Sequence, residues 1–171
     1  MQVVCRPSAV CSAGRFRADG ACPKCIRTSL QRIGRMIWRS KPARLRWGES
    51  NTVELRSIED LEKLLSDLSR AARDCPFIVE LTLANGDMLG VGLGRDTGIV
   101  AYVPRSRMPS YFHAAAATDP VADGGTVQFE LAGEATEFER SQTVPIESAE
   151  QALRYFFESG RLAPFLTWVE D

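Results

Sequence analysis

The sequence lacks any long hydrophobic run, and only one of its 171 residues is a histidine. No apolar stretch approaches the ~20 residues of a transmembrane helix, and residues 1–21 lack the continuous apolar core of a secretory signal. We therefore expect a cytoplasmic protein without a membrane partner. The histidine, His113, has no serine or cysteine nucleophile in a recognisable motif beside it. A lone loop histidine more often packs or faces solvent than acts as a general base.

Acidic residues are nearly absent from the first part of the chain. Residues 1–48 contain eleven of the 21 lysines and arginines but one of the 22 acids, which gives a net charge of +10. Residues 49–171 carry the opposite balance, −11. We expect this acidic part to be repelled by nucleic acid and attracted to a basic protein surface.

Residues 1–48 form a basic leader without a strand pattern, and we predict that it is disordered or partly helical. It contains four of the five cysteines, Cys5, Cys11, Cys22 and Cys25. Cys22 and Cys25 have the spacing of a zinc-ligand pair, but Cys5 and Cys11 are too far apart to form a second one. A nucleic-acid-binding or zinc-containing regulator acting through residues 1–48 is therefore an alternative function. An over-long translation start is a further interpretation of the leader.

Alternation of apolar and polar residues predicts a sheet in the remaining domain, residues 53–171. Residues 77–103 form the centre of the pattern, with three short strands joined by turns. Further strands are predicted at 126–131, 135–140 and 165–169. Because hairpin-like connections dominate, we expect an α+β fold with a mainly antiparallel sheet of about five to six strands.

Two amphipathic helices are predicted to pack on this sheet. Ser57 is a suitable N-cap for the first, with Glu59 and Asp60 in the first turn where acids are favoured. Cys75-Pro76 follows the end of that helix. Gly160 ends the second helix, which carries an apolar face.

No cofactor-binding motif is recognisable, so we expect no cofactor. Gly90, Gly92 and Gly94 do not have the spacing of a dinucleotide-binding loop. Glycines at every second strand position instead leave one face bare, which allows a helix or backbone to approach closely. The segment 104–125 is long for a structureless connection, and loops of this length are usually functional or mobile. A small enzyme that uses Tyr111–His113 is therefore a rival function. It requires a pocket in which a carboxylate reaches His113.

Several motifs follow one another in a recognisable order. A Gly-Leu-Gly-Arg-Asp turn follows Gly90, and a Gly-Glu…Glu-Phe pair lies at 133–138. A proline followed by a helix ending in Phe-Phe comes next, and Trp168-Val169-Glu170 lies near the end. In this order the motifs resemble the first-numbered immunity-protein family of bacterial polymorphic toxin systems. The resemblance covers residues 53–171 and omits the leader.

The resemblance implies a non-enzymatic protein that binds a co-expressed toxin and blocks its active site. Members are associated with nuclease and nucleic-acid deaminase toxins, and such a toxin needs a basic cleft. We predict a partner-binding surface made of Asp96, Asp119, Asp123, Glu134, Glu137 and Glu139. Trp168 is either an interface anchor or a core residue of the last strand.

Overall fold

A computed structural model describes residues 42–106, 111–115 and 125–171. Ten strands, two α-helices and one short 3-10 helix (Arg140–Gln142) lie within these residues. The strands are β1 (Ala43–Trp47), β2 (Asn51–Leu55), β3 (Phe77–Thr82), β4 (Met88–Leu93), β5 (Thr97–Val103), β6 (Phe112–Ala115), β7 (Thr126–Leu131), β8 (Glu134–Glu139), β9 (Thr143–Pro145) and β10 (Thr167–Glu170). The helices are α1 (Ile58–Ala71) and α2 (Ile146–Ser159).

The main sheet runs in the order β10–β6–β5–β4–β3–β1–β2, and each neighbouring pair is antiparallel. β9 pairs with the beginning of β5, also antiparallel. Among the described strands, the one parallel contact joins Phe77 of β3 to Glu130 of β7. The predicted α+β class with a mainly antiparallel sheet is therefore confirmed.

The predicted number of five to six strands is too low, chiefly because the shortest strands are not recognisable from the sequence. β6 has four residues and β9 has three, and β6 lies inside the segment expected to be a loop. Strands this short give too few alternations to be recognised.

The prediction of a leader without strands through residue 48 is wrong for Ala43–Trp47. These residues form β1, which lies between β2 and β3 in the sheet. Leu45 and Trp47 are buried, while Arg44 and Arg46 between them are exposed. The alternation was present in the sequence, but its two arginines made the segment look like part of the basic leader.

The helices cover one face of the sheet and enclose the larger core. Leu89, Val91 and Leu93 of β4 point to this face and pack in one cluster with leucines of α1 and with Leu153 and Phe156 of α2. Ser57 is the N-cap that precedes α1, and its Oγ accepts a hydrogen bond from the Asp60 backbone N–H at 3.2 Å. Both helices place their apolar side chains on the face that meets the sheet, as the predicted amphipathic pattern requires.

The β7–β8 hairpin covers part of the opposite face and encloses a second, smaller core. Ile78, Ile99, Val127 and Phe129 are its buried residues. The glycines of β4 leave this face without side chains, and the ring of Phe129 packs directly over Gly92. At Gly92 the close neighbour is thus an aromatic side chain, whereas at Gly94 it is the backbone of Ala72 at the end of α1, as we expected.

Candidate partner-binding surface

The β7–β8 hairpin presents its acidic residues through a tight turn and an unbroken register. Ala132 and Gly133 form a two-residue loop and both have positive φ, 53° and 93°, as a type I′ turn requires. Leu131 lies opposite Glu134, and the pairing continues residue by residue to Thr126 opposite Glu139. Because side chains alternate along a strand, this register decides which carboxylates share a face.

Glu137 and Glu139 share the outer face of the hairpin, and both are exposed. Glu137 Oε1 accepts a hydrogen bond from Gln128 Nε2 at 2.6 Å, across the strand pair. Glu139 Oε2 accepts one from Ser141 Oγ at 3.1 Å. Glu130 belongs to the same face and is half-buried, with Cys75 Sγ 3.8 Å from its Oε2. The outer face is therefore an acidic surface held in place by local hydrogen bonds.

The other described acids of the predicted surface lie at its margins. Glu134 is exposed at the turn, but its strand position places it on the face that carries Phe138. Asp96 is exposed in the β4–β5 turn, and its backbone oxygen accepts from the Ile146 N–H at 3.0 Å, at the start of α2. The structure thus brings together Glu137 and Glu139 but not all four acids on one face.

Arg95 places a positive charge at the edge of this surface. Its Nε donates to the backbone oxygen of Gln128 at 3.4 Å, which ties the β4–β5 turn to β7. Asp119 and Asp123 lie outside the described residues, so their inclusion in the surface stays a prediction.

Trp168 is half-buried in β10 and packs against the larger core. It lies opposite Ala114 of β6, and its Nε1 donates to the backbone oxygen of Ala163 at 3.0 Å. The indole N–H is therefore bonded within the chain, which favours a core role for Trp168 over that of an interface anchor. Three exposed large apolar side chains lie near it in sequence or across the strand pair: Tyr111, Phe165 and Val169.

His113 has a carboxylate within reach, as the enzymatic rival requires. Its Nδ1 lies 2.9 Å from an oxygen of Asp171, and this pair is accessible to solvent. Among the described residues no serine or cysteine side chain is bonded to the imidazole. The pair joins β6 to the residue after β10, and within the described residues no nucleophile completes a nucleophile and base arrangement.

The four leader cysteines lie outside the described residues, so the zinc alternative stays a prediction. Within 42–106, 111–115 and 125–171, no group of three or more metal-ligand side chains is placed to hold an ion. Neither of the two described helices combines the length and the apolar composition needed to cross a membrane.

Comparison with known protein families gives a match over most of the chain. A family model described as immunity protein Imm1 matches residues 49–170. This range spans strands β2 to β10 and both helices, and it starts just after β1. No curated protein matches the chain.

Proposed function

This chain belongs to the Imm1 family of immunity proteins, and from that membership we propose that it binds a co-expressed toxin and blocks its active site. The family match covers most of the chain and is the observation that carries the proposal. It also confirms the resemblance seen in the sequence. The protein would act in the cytoplasm, without a cofactor and without catalysing a reaction.

We further propose that the toxin is a nuclease or a nucleic-acid deaminase. An enzyme that acts on nucleic acid needs a cationic cleft to hold phosphates. The exposed carboxylates of Glu137 and Glu139, on one face of the hairpin, suit such a cleft. Electrostatic attraction of this kind accelerates encounter and selects the partner.

Within this proposal the remaining predicted residues have different parts. Asp96 and Glu134 would contribute charge at the margins of the contact, and Asp119 and Asp123 would extend it. Trp168 would act mainly through packing, because its indole N–H is bonded to Ala163.

The test is a pull-down of the full chain against the toxin domain encoded beside its gene, at low and moderate salt. A tight complex that also abolishes toxicity is the expected result. A truncated chain that begins at Pro42 retains β1 and is the form in which to test binding without the leader. A chain that begins at 49 is unsuitable, because it lacks β1, a buried inner strand of the sheet. Absence of a complex with the full chain, or binding of nucleic acid through residues 1–48 instead, would overturn the proposal.

A further inference from the structure

The two outer edges of the β7–β8 hairpin are used differently. On β7, the Glu130 N–H donates to the Pro76 oxygen at 2.8 Å, and the Gln128 oxygen accepts from Arg95 at 3.4 Å. On β8, the edge away from β7 pairs with no strand in the described part of the chain. An unpaired edge presents a row of backbone donors and acceptors to any strand that can align with it.

The register shows which backbone groups of β8 face outwards. In a two-residue hairpin the residues flanking the loop, here Leu131 and Glu134, form a hydrogen-bonded pair, and such pairs then alternate along the strands. The Arg140 N–H bonds the Gly125 oxygen at 3.0 Å, which continues the same alternation beyond Glu139. The outward N–H and C=O groups therefore belong to Ala135, Glu137 and Glu139.

β8 lacks most of the devices that keep a natural edge strand unpaired. Such edges are usually short, bulged, or protected by charged side chains, most often lysine, or by proline; the glutamates of β8 are its one device of this kind. β8 has six residues, EATEFE, with no lysine, no proline and no bulge in its register. The other two outermost strands are shorter, with five residues in β2 and four in β10. β8 is therefore the longest free edge that the described residues offer.

The charge of β8 decides which strand fits it. Three of its six residues are glutamates, so a second copy of the same edge would bring like charges directly opposite each other, which is destabilising. A basic strand would instead place its cations over Glu137 and Glu139, whose side chains and outward backbone groups lie at the same positions. Backbone hydrogen bonds would then supply affinity, and the alternating side chains would supply specificity.

We propose that β8 is the docking edge for an extended, basic segment of the toxin domain, which adds to the β7–β8 hairpin as a third strand. Lysine or arginine at alternate positions of that segment faces Glu137 and Glu139. This inference rests on the proposed function, since it names how the same partner is held.

Amide hydrogen exchange of the full chain, with and without the toxin domain, tests the edge directly. Toxin binding should slow exchange at Ala135, Glu137 and Glu139 by about tenfold or more. The amides of Thr136 and Phe138, which already bond to β7, should change less. A neutralising complex that leaves the three outward amides unprotected, or that protects Trp168 and Glu170 of β10 instead, would overturn the docking edge and leave the proposed function intact.

A pair of variants at one position separates the backbone from the charge. Glu137→Gln removes the charge only, whereas Glu137→Pro also removes the outward N–H. If the edge is paired, the proline variant should bind the toxin about tenfold more weakly than the glutamine variant. Equal affinities, with both variants as folded as the natural chain by circular dichroism, would show that the outward N–H makes no bond to the toxin, and would overturn the docking edge. If the proline variant unfolds, the exchange experiment on the natural chain decides.

Two further outcomes separate the possible failures. If the natural chain forms no complex with the toxin, the proposed function fails and not only the docking edge. If the three amides are protected in the isolated chain at high concentration and become exposed on dilution, the occupant is a second copy, and the proposal of a toxin strand is wrong.

Discussion

The ring of Phe129 occupies the space above Gly92: its Cε1 lies 2.9 Å from the position that a Cβ at residue 92 would take. Gly90, two residues earlier in β4, has much more room, because its nearest neighbours are Ile78 Cγ2 at 3.6 Å and the Ala101 oxygen at 3.8 Å. The two glycines have the same strand environment in the sequence, but only one of them is required for the hairpin to pack on the sheet.

Gly92→Ala should therefore destabilise the fold by about 1–3 kcal/mol, because the ring must move to admit a methyl group. Gly90→Ala is the matched control, and it should be neutral or slightly stabilising, since alanine restricts the unfolded chain. Urea denaturation measures both free energies of unfolding. If Gly92→Ala proved as stable as Gly90→Ala, the close packing of Phe129 on β4 would be wrong.

The sequence predicted the parts of this fold that depend on local pattern. Alternation along the predicted strand 135–140 puts Phe138 on the opposite face from Glu137 and Glu139, and the structure agrees. It did not predict that Phe129 would meet Gly92, because that contact joins strands far apart in the chain. The same limit applies to Asp96, whose position beside the start of α2 depends on a long-range backbone bond.

The sequence failed where charge obscured a strand pattern. Trp47 alternates correctly with Arg46, yet the net charge of residues 1–48 suggested a solvated leader. Long arginine side chains can flank a buried strand while their charged ends remain in water. Composition therefore predicted the wrong environment for residues that tertiary pairing with β3 buries.

The beginning of α1 should make stability depend on pH. The pKa of Glu59 lies below its ordinary 4.5, first because its own backbone N–H and then because the Ser57 hydroxyl bonds the carboxylate. These bonds exist only in the folded chain, so their stabilisation is present above pH 4.5 and is lost as the pH falls through the lowered pKa. Glu59→Gln should therefore flatten the loss of unfolding free energy between about pH 6 and pH 3.

Ser57→Ala is the companion variant in the same titration. It should cost about 1 kcal/mol at neutral pH, because the Asp60 N–H loses its cap. Its acid slope should lie between those of the natural chain and Glu59→Gln, since one of the two bonds to Glu59 remains. An acid slope in Glu59→Gln identical to that of the natural chain would contradict the lowered pKa.

Arg154 connects the two helices, and its removal should loosen their contact. Its Nε bonds Glu62 Oε1 of α1 at 2.6 Å, and its Nη2 bonds Glu150 Oε2 of α2 at 3.2 Å. Arg154→Met should lower the free energy of unfolding by about 1 kcal/mol in low salt and by less in high salt, because the pair is partly exposed. Arg56→Met is the control, since Arg56 meets Glu54 at 3.9 Å with both side chains largely exposed. If both variants lost the same free energy of unfolding, the ion pairs of Arg154 would contribute no more than an exposed surface pair.

Trp47 carries a buried polar atom that has no partner in the part of the chain that the structure describes. Its side chain is 4% exposed, and Nε1 has no acceptor among the described residues. An unsatisfied buried donor costs about 1–3 kcal/mol, so Trp47→Phe should stay within about 1 kcal/mol of the natural stability despite the smaller ring. Trp47→Ala should lose about 3–5 kcal/mol. Thermal unfolding compares the two, and a phenylalanine variant as unstable as the alanine variant would indicate that the indole N–H has a partner.

The acidic hairpin should determine how fast the toxin is captured. Glu134→Lys combined with Glu137→Lys reverses two exposed charges, and association should slow by about tenfold at low salt, because steering depends on the potential between the surfaces. The dependence of the association rate on salt should flatten in the same variant. Stopped-flow mixing at several salt concentrations measures both effects.

The matched control for that measurement changes the net charge equally on the opposite layer of the molecule. Asp67→Lys combined with Glu158→Lys lies on α1 and α2, which cover the other face of the sheet from the hairpin. If attraction is local to the hairpin, this control should slow association much less, because exposed charges farther apart than about 10 Å are screened at moderate salt. Equal slowing in the two variants would show that only the total charge matters, and it would remove Glu134 and Glu137 from the contact surface.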